Sequence, residues 1–493
     1  MIYFILGYSL CKLYLILTIY QQAHYEIKTY IKHFIYNFFY YDLFCILALT
    51  LSVLIDNVFI EISCGIYIIC YSVVYLLIRK KVVITKRIII LLLMTTLLIV
   101  GYSFIPYVNY YMLLLLEFSI LPIFYIDKLI NKLLNYPNVV KSKNKLDAYE
   151  GKRLIITGSF GKTSTKVIFN QVLSNFYSVS KTPKSYNTMY GISKYINETN
   201  INLYDYLILE FGASQVNDID KLLKLSKPDV AVITDIGLMH LSTFKTLYNI
   251  VEEKMKLAKA SSLVILNYDN QYIRDYKLTN NPKILSFGID NGDYQARNIV
   301  DKEFDLYYKG IYLEHFNINL CGRHNIYNLL SVLAYCHYLK LDLKVVSRIT
   351  SFLDIEKNRL EIKTIGNKTI IDDSFNSNLK GFKEALSVLR VSKDKKILLT
   401  PGIVELSKYK ELVNSELVVD IKASCDIVIL VGYEQTKDLY MKLKDYPLEI
   451  YIVKDFFEGY SLYKSISNYY IKTTLLIEND LPDLYRRRML LWI

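Results

Sequence analysis

Seven cysteines stand singly along the 493 residues, with no C-x-x-C pair and no spacing that suits a metal. Cys11, Cys45, Cys64 and Cys70 lie in apolar segments, and Cys321, Cys336 and Cys425 are scattered. A disulfide framework and a zinc site are therefore excluded. Also missing is a stripe of lysine and arginine. The formal charge of +12 is modest for this length, so nucleic acid is not an expected partner. No internal repeat or low-complexity tract occurs. Tyr3–Tyr20 is apolar, but neither a basic start nor a small-residue cleavage site frames it as a signal peptide.

What is present divides unevenly. Residues 1 to 126 are almost wholly apolar, whereas the rest has the mixed composition of a globular protein. Four stretches approach the roughly 20 residues that a bilayer requires: Tyr41–Val58, Ile62–Ile78, Ile88–Phe104 and Tyr107–Ile126. Tyr3–Tyr20 is a fifth, spanning or interfacial, because Lys12 sits at its centre. Glu117, inside the last stretch, is either functional or paired within a bundle. Arg79-Lys80-Lys81, Lys86-Arg87 and the lysines from Lys128 to Lys145 fall on one side of the alternating connections. The positive-inside rule makes that side cytoplasmic. The expectation is a multi-pass protein of the cell membrane, with residues 1–127 as four to five spans in the lipid bilayer and 128–150 as a basic linker.

The chain is organised around Thr157-Gly158-Ser159-Phe160-Gly161-Lys162-Thr163-Ser164-Thr165. The apolar run Arg153–Ile156 precedes it, reading as a buried strand, and Lys166–Asn175 follows with helical spacing at Val167, Ile168, Val172 and Leu173. Strand, glycine turn and helix in that order present backbone N–H groups and a helix N-terminus to an anion. Lys162 can reach outer phosphates and the Thr163 hydroxyl can ligate Mg²⁺. Gly158, Ser159, Gly161, Lys162, Thr163 and Ser164 are thus the residues expected to bind a nucleoside triphosphate.

Further apolar runs follow at Tyr206–Glu210, Val230–Thr234 and Leu263–Asn267, separated by helical segments. They predict a parallel doubly wound sheet with ligands at its strand C-termini, where Glu210, Asp235, His240, Asn267 and Asp269 fall. Glu210 is a candidate metal ligand or a solvated strand end. Ile284–Leu320 reads as a small antiparallel patch, and a helix opens at Gly322-Arg323-His324-Asn325. Thr369–Asp373, Lys396–Thr400, Asp426–Val431, Glu449–Val453 and Thr473–Ile477 predict a second α/β unit. The fold class is α/β: transmembrane helices, a central P-loop sheet over 151–350 and a Rossmann-like domain over 351–493.

Five ordered segments resemble those of Mur ligases: Thr157–Thr163, Glu210-Phe211-Gly212-Ala213, Asp235–Leu241, Gly322–Asn328 and Asp372–Asn378. The resemblance covers about residues 150 to 480. It implies an ATP- and Mg²⁺-dependent C–N ligase, in which a carboxylate is activated as an acyl phosphate and attacked by an amine. It further implies that His240 helps hold a second Mg²⁺, that Lys254 is carbamylated, and that Asn325, Arg359 and Asp373 lie near adenine, phosphate and ribose. Lys256 is close enough to Lys254 to leave that register open. Two departures stand out. The apolar N-terminal third replaces the domain with which the family reads its uridine nucleotide, and Leu476–Asp483 does not read like the family's Lys-Gly-Ser segment.

The expected activity is a membrane-anchored ligase joining an amine or amino acid to a carboxylate, lipid-linked or on a surface-polysaccharide precursor. Its rivals are a muropeptide ligase with an added anchor and a polyglutamate-type ligase. A rival of another class is an ATP-binding membrane assembly or sensor protein. Lys162, Glu210 and His240 together argue against that last reading, since a scaffold needs no metal site.

Overall fold

The computed structural model describes residues 13–23, 25–28, 30–31, 62, 66, 82–103, 120–320, 322–354, 360–374, 379–403 and 409–479. The chain divides into two units, 1–136 with 482–493, and 137–481.

In the first unit, helix α1 (Lys86–Ser103) and the part of helix α2 (Leu121–Asp147) up to Tyr136 are the long described elements. Leu13, Ile16, Tyr20, Ile27, Tyr30, Leu91, Ile123 and Phe124 form its core, with the Tyr20 and Phe124 rings stacked at 3.7 Å. Arg87 is not a free loop cation: its guanidinium forks onto Asp127, with the closest contact at 2.6 Å. Tyr20 and Asn131 complete the shell of that buried carboxylate.

Among the described residues, no helix is long and apolar enough to cross a membrane. This overturns the expected multi-pass localisation. Helix α1 is described over 18 residues. It begins with Lys86 and Arg87. Tyr41–Val58 and most of Ile62–Ile78 and Tyr107–Ile126 lie outside the described residues. The stretch expected as a basic linker is largely helical, because α2 runs through Pro137 to Asp147. Its leucines and lysines are good helix formers.

The second unit holds two sheets. The first has nine strands: β1 (Lys152–Thr157), β2 (Val179–Lys181), β3 (Tyr206–Glu210), β4 (Val230–Ile233), β5 (Leu263–Asn267), β6 (Lys283–Gly288), β7 (Tyr294–Val300), β8 (Glu303–Tyr308) and β9 (Ile311–Asn317). Their order is β2-β3-β1-β4-β5-β6-β7-β8-β9, parallel as far as β7 and antiparallel beyond it. Successive residues of a strand point to opposite faces. Leu154 and Ile156 therefore pack with Ile168 and Phe169 of α3 (Lys162–Leu173), whereas Ile155 packs on the other side with Ile192 of α4 (Met189–Glu198), Ile219 of α5 (Asp218–Leu225) and Met255 of α6 (Leu247–Lys259). Helix α7 (Arg323–Tyr338) completes the first face with Leu329, Val332 and Leu333. Each such side chain removed from water contributes roughly 1.5–3 kcal/mol. Burial on both faces is why these strands read as unbroken apolar runs.

The second sheet has β10 (Glu361–Ile365), β11 (Lys368–Asp373), β12 (Lys395–Thr400), β13 (Ile427–Val431), β14 (Glu449–Val453) and β15 (Thr473–Glu478), in the order β10-β11-β15-β12-β13-β14. All pairs are parallel except the β10–β11 hairpin. Helix α8 (Leu379–Val391) packs Phe382, Leu386 and Leu389 against it. Its N-terminus meets the first sheet's loops: Lys380 pairs with Asp235 at 3.2 Å, and Glu384 accepts from the backbone N–H of His324 at 3.1 Å.

Candidate active site

The glycine loop joins β1 to α3. The Ser159 N–H donates to the Asp235 carbonyl at 2.6 Å, and the Ser159 hydroxyl lies 3.1 Å from the Gly237 carbonyl and N–H. The loop is thereby fixed to the segment leaving β4. A Cβ at Gly158 would stand 2.1 Å from Thr234 Oγ1 and 2.9 Å from the Asp235 carbonyl, so no larger residue fits. Gly161 caps α3 at φ 78°, in the left-handed region that glycine tolerates, and no side chain caps the helix. The first helical N–H groups have no partner within the helix and attract an anion.

Lys162 folds back over this loop, donating to the carbonyls of Gly158 at 2.9 Å and Ser159 at 3.0 Å. Ser164 is half-buried in the first turn. One residue earlier, the buried Thr163 hydroxyl donates to Glu210 at 3.0 and 3.2 Å. Glu210 ends β3, which pairs directly with β1, so strand register sets the carboxylate beside the loop. It is only 1% exposed. Burial pushes its pKa up, yet Lys166 and Lys162 outweigh that and hold it below the usual carboxylate value. A hydroxyl and an ionised carboxylate are hard oxygen donors, and Mg²⁺ is commonly held by one or two such groups plus phosphate oxygens and water. The residues fit the ion. Among the described residues, no three His, Cys, Asp or Glu side chains converge on one point.

Lys254 lies on α6, 3% exposed, donating to the Ala213 carbonyl at 3.2 Å. Burial, and next the Lys162 charge, lower its pKa to about 7, against the opposing pull of Glu253, Asp218 and Glu210. Lys256, two residues on, pairs instead with Asp220 at 2.5 Å and Glu253 at 2.7 Å. His240 occupies the left-handed region at φ 51°, where its carbonyl accepts the N–H groups of Thr243 and Phe244 and starts a short helical turn. Asn325, buried at the start of α7, accepts from Asn328, whose own Oδ1 accepts from Thr165 on α3. Asp373 ends β11, with Oδ1 accepting the Leu360 N–H at 3.1 Å. Arg359 lies outside the described residues.

Three strand-end residues are committed to structure. Asp269 accepts the N–H groups of Ile289 and Asn291 at 2.6 Å each and the Tyr327 hydroxyl at 2.8 Å, and Asn267 accepts the Asp269 N–H. Asp235 takes Asn270 at 2.5 Å as well as Lys380. Sequence reasoning missed Lys166 and Asn187, which both donate to Glu210, at 3.1 and 3.3 Å. Lys166 carried a signal, since it lies one helical turn beyond Lys162. Asn187 carried none.

Residues 156–336 match the Mur ligase middle domain. The UDP-N-acetylmuramoyl-tripeptide–D-alanyl-D-alanine ligase of Borreliella burgdorferi is 30% identical over 295 residues, 57% of this chain and 62% of that one. Its Bacillus subtilis counterpart is 31% identical over 280 residues, 54% of this chain and 59% of the relative. The chain thus spans about three fifths of the length of these curated relatives. The MurF structure from Acinetobacter baumannii superposes with a TM-score of 0.63 at 20% identity, covering 70% of this chain and 77% of the other. The Thermotoga maritima MurF ligase, solved with ADP, gives 0.62 at 22%, covering 71% and 81%. At those identities the likeness is one of fold. Residues 156–336 are therefore similar to the Mur ligase middle domain, within a chain that shares the fold of Mur ligase structures.

Proposed function

We propose that the chain is an ATP-dependent C–N ligase acting on a cell-wall precursor peptide. The observation that carries this reading is the pairing of a glycine loop bearing Lys162 and Thr163 with a buried, ionised Glu210. Bound ATP and Mg²⁺ supply the phosphoryl group that turns a carboxylate into an acyl phosphate, and the charge to stabilise its transfer. Thr163 and Glu210 would hold the ion, with His240 assisting at a second. Lys162 and the α3 N-terminus would hold the phosphates, together with Gly158, Ser159, Gly161 and Ser164. Asn325, Arg359 and Asp373 are proposed at the nucleoside and phosphate. Lys254, whose burial lowers the pKa of its amine to about 7, suits carbamylation, which would convert it into a carboxylate supporting the metal.

The relatives' names point to UDP-N-acetylmuramoyl-tripeptide as the carboxylate and D-alanyl-D-alanine as the amine. The purified full chain is expected to release phosphate only when ATP, Mg²⁺ and both substrates are present, with the ligated product visible by mass spectrometry. Phosphate release that ignores both substrates, or none at all, would overturn the reading.

A further inference from the structure

Lys166 is buried more completely than Lys254, at 0% exposure against 3%. Burying an ammonium is costly unless it is paired and hydrogen-bonded. Here the pairing is to Glu210 Oε2 at 3.1 Å and to the backbone carbonyl of Lys184. A buried ion pair stabilises no better, as a rule, than well-packed apolar side chains of similar volume. Packing alone is therefore a poor account of a lysine at this position.

These partners belong to different parts of the site. Glu210 is the carboxylate that Thr163 also contacts. Lys184 belongs to the 182–188 loop between β2 and α4, the loop that carries Asn187. The Asn187 side-chain amide donates to Glu210 Oε1 at 3.3 Å, and the Asn187 backbone carbonyl accepts the Gly212 N–H at 2.8 Å. One oxygen of the carboxylate thus faces the helix lysine and the other faces the loop asparagine.

We infer that Lys166 is a positioning residue: from beneath the nucleotide loop, its ammonium holds one oxygen of Glu210 and the backbone of the 182–188 loop, setting carboxylate and loop together. A ligand group fixed in this way reaches a cation without first being ordered, the usual role of residues behind a metal ligand. The inference rests on the proposed nucleotide site only for the meaning of Glu210. The tie between helix, carboxylate and loop is separate from it.

Hydrogen exchange on the ligand-free full chain tests the tie. In Lys166→Met, and in Lys166→Met/Glu210→Gln, backbone amides of 185–191 should exchange at least about tenfold faster, with β1, β4 and β5 unchanged. The double variant keeps the site neutral, so it decides the matter should the single variant fail to fold. Calorimetry of ADP with and without Mg²⁺ gives a second readout. Lys166→Met should lose most of the Mg²⁺-dependent gain in ADP affinity and keep the metal-free affinity. Unchanged exchange over 185–191 in the double variant, or a uniform rise across the sheet, would make Lys166 a space-filling residue and overturn the inference. Failure of the wild-type chain to bind ADP would defeat the nucleotide reading instead, while the exchange result still decides the role of Lys166.

Discussion

Lys254 and Lys256 sit two residues apart on α6 and meet opposite surroundings. The Lys254 ammonium is buried and reaches the Ala213 carbonyl behind Glu210, while Lys256 is engaged by Asp220 and Glu253. Alternate positions on a helix point about 200° apart, so one can face the site and the other α5. If the proposed carbamate forms, it forms on Lys254. Lys254→Ala is expected to lower turnover by about 100-fold or more, with partial rescue by acetate or propionate. Lys256→Ala should stay within a few-fold of wild type and gain nothing from carboxylates. Steady-state rates with and without added carboxylate check this, and identical behaviour of the two variants would refute it.

The same lysine predicts a pH dependence of stability. Its folded pKa is depressed to about 7 from 10.5. Between those values the unfolded chain holds the proton that the folded chain has released, so stability rises with pH across that window. The slope from this one group approaches ~1.4 kcal/mol per pH unit. Denaturant titrations from pH 7 to 10 in carbon dioxide-free buffer should show wild type gaining stability relative to Lys254→Met. A constant difference between the two would mean that Lys254 titrates normally.

At the nucleotide loop, where the Lys162 ammonium donates to the carbonyls of Gly158 and Ser159, Lys162→Ala should reduce turnover by orders of magnitude. Gly161→Ala should do harm of another kind. Its φ of 78° penalises any Cβ, and that Cβ would stand 2.6 Å from Asn328 Oδ1. A stability loss of about 1–3 kcal/mol is expected, together with weaker ADP binding. Asn328→Ala in the same chain should return only part of it, since the backbone strain remains. Thermal melting and ADP calorimetry measure both.

Much of this architecture is legible as text. Strands β3, β5 and β14 follow from apolar runs bounded by polar residues, and the glycine loop declares the turn from β1 to α3. Strand β2 does not, because Val-Ser-Lys is too short and too polar to stand out. Strand β10, Glu-Ile-Lys-Thr-Ile at a sheet edge and largely exposed, is equally quiet. Lys166 is visible only as a helix residue, since its partner Glu210 is 44 positions away and is brought near by the pairing of β1 with β3. The overturned membrane localisation came from hydropathy for a related reason. An apolar stretch such as Ile88–Phe104 has the same composition whether it crosses a bilayer or contributes Ile88 and Leu91 to a protein core.

Lys380 and Asp235 link the second sheet's first helix to the strand end that supports the nucleotide loop. The Lys380 side chain is about half exposed, 48%, so the ion pair itself is worth roughly 0–1 kcal/mol. It nevertheless stands at a junction: its ammonium also lies 4.7 Å from the Tyr327 ring, and the Asp235 carbonyl accepts the Ser159 N–H. Lys380→Met is therefore expected to leave the melting temperature within about 2 °C of wild type while raising the KM for ATP several-fold. Asp235→Asn keeps the carbonyl that holds Ser159 and removes the charge that holds Lys380. It should reproduce the KM effect, and the double variant should be no worse than either single one. A double-mutant cycle on KM for ATP measures this directly. Fully additive effects would mean that the contact between Lys380 and Asp235 is not what conveys the position of α8 to the nucleotide loop.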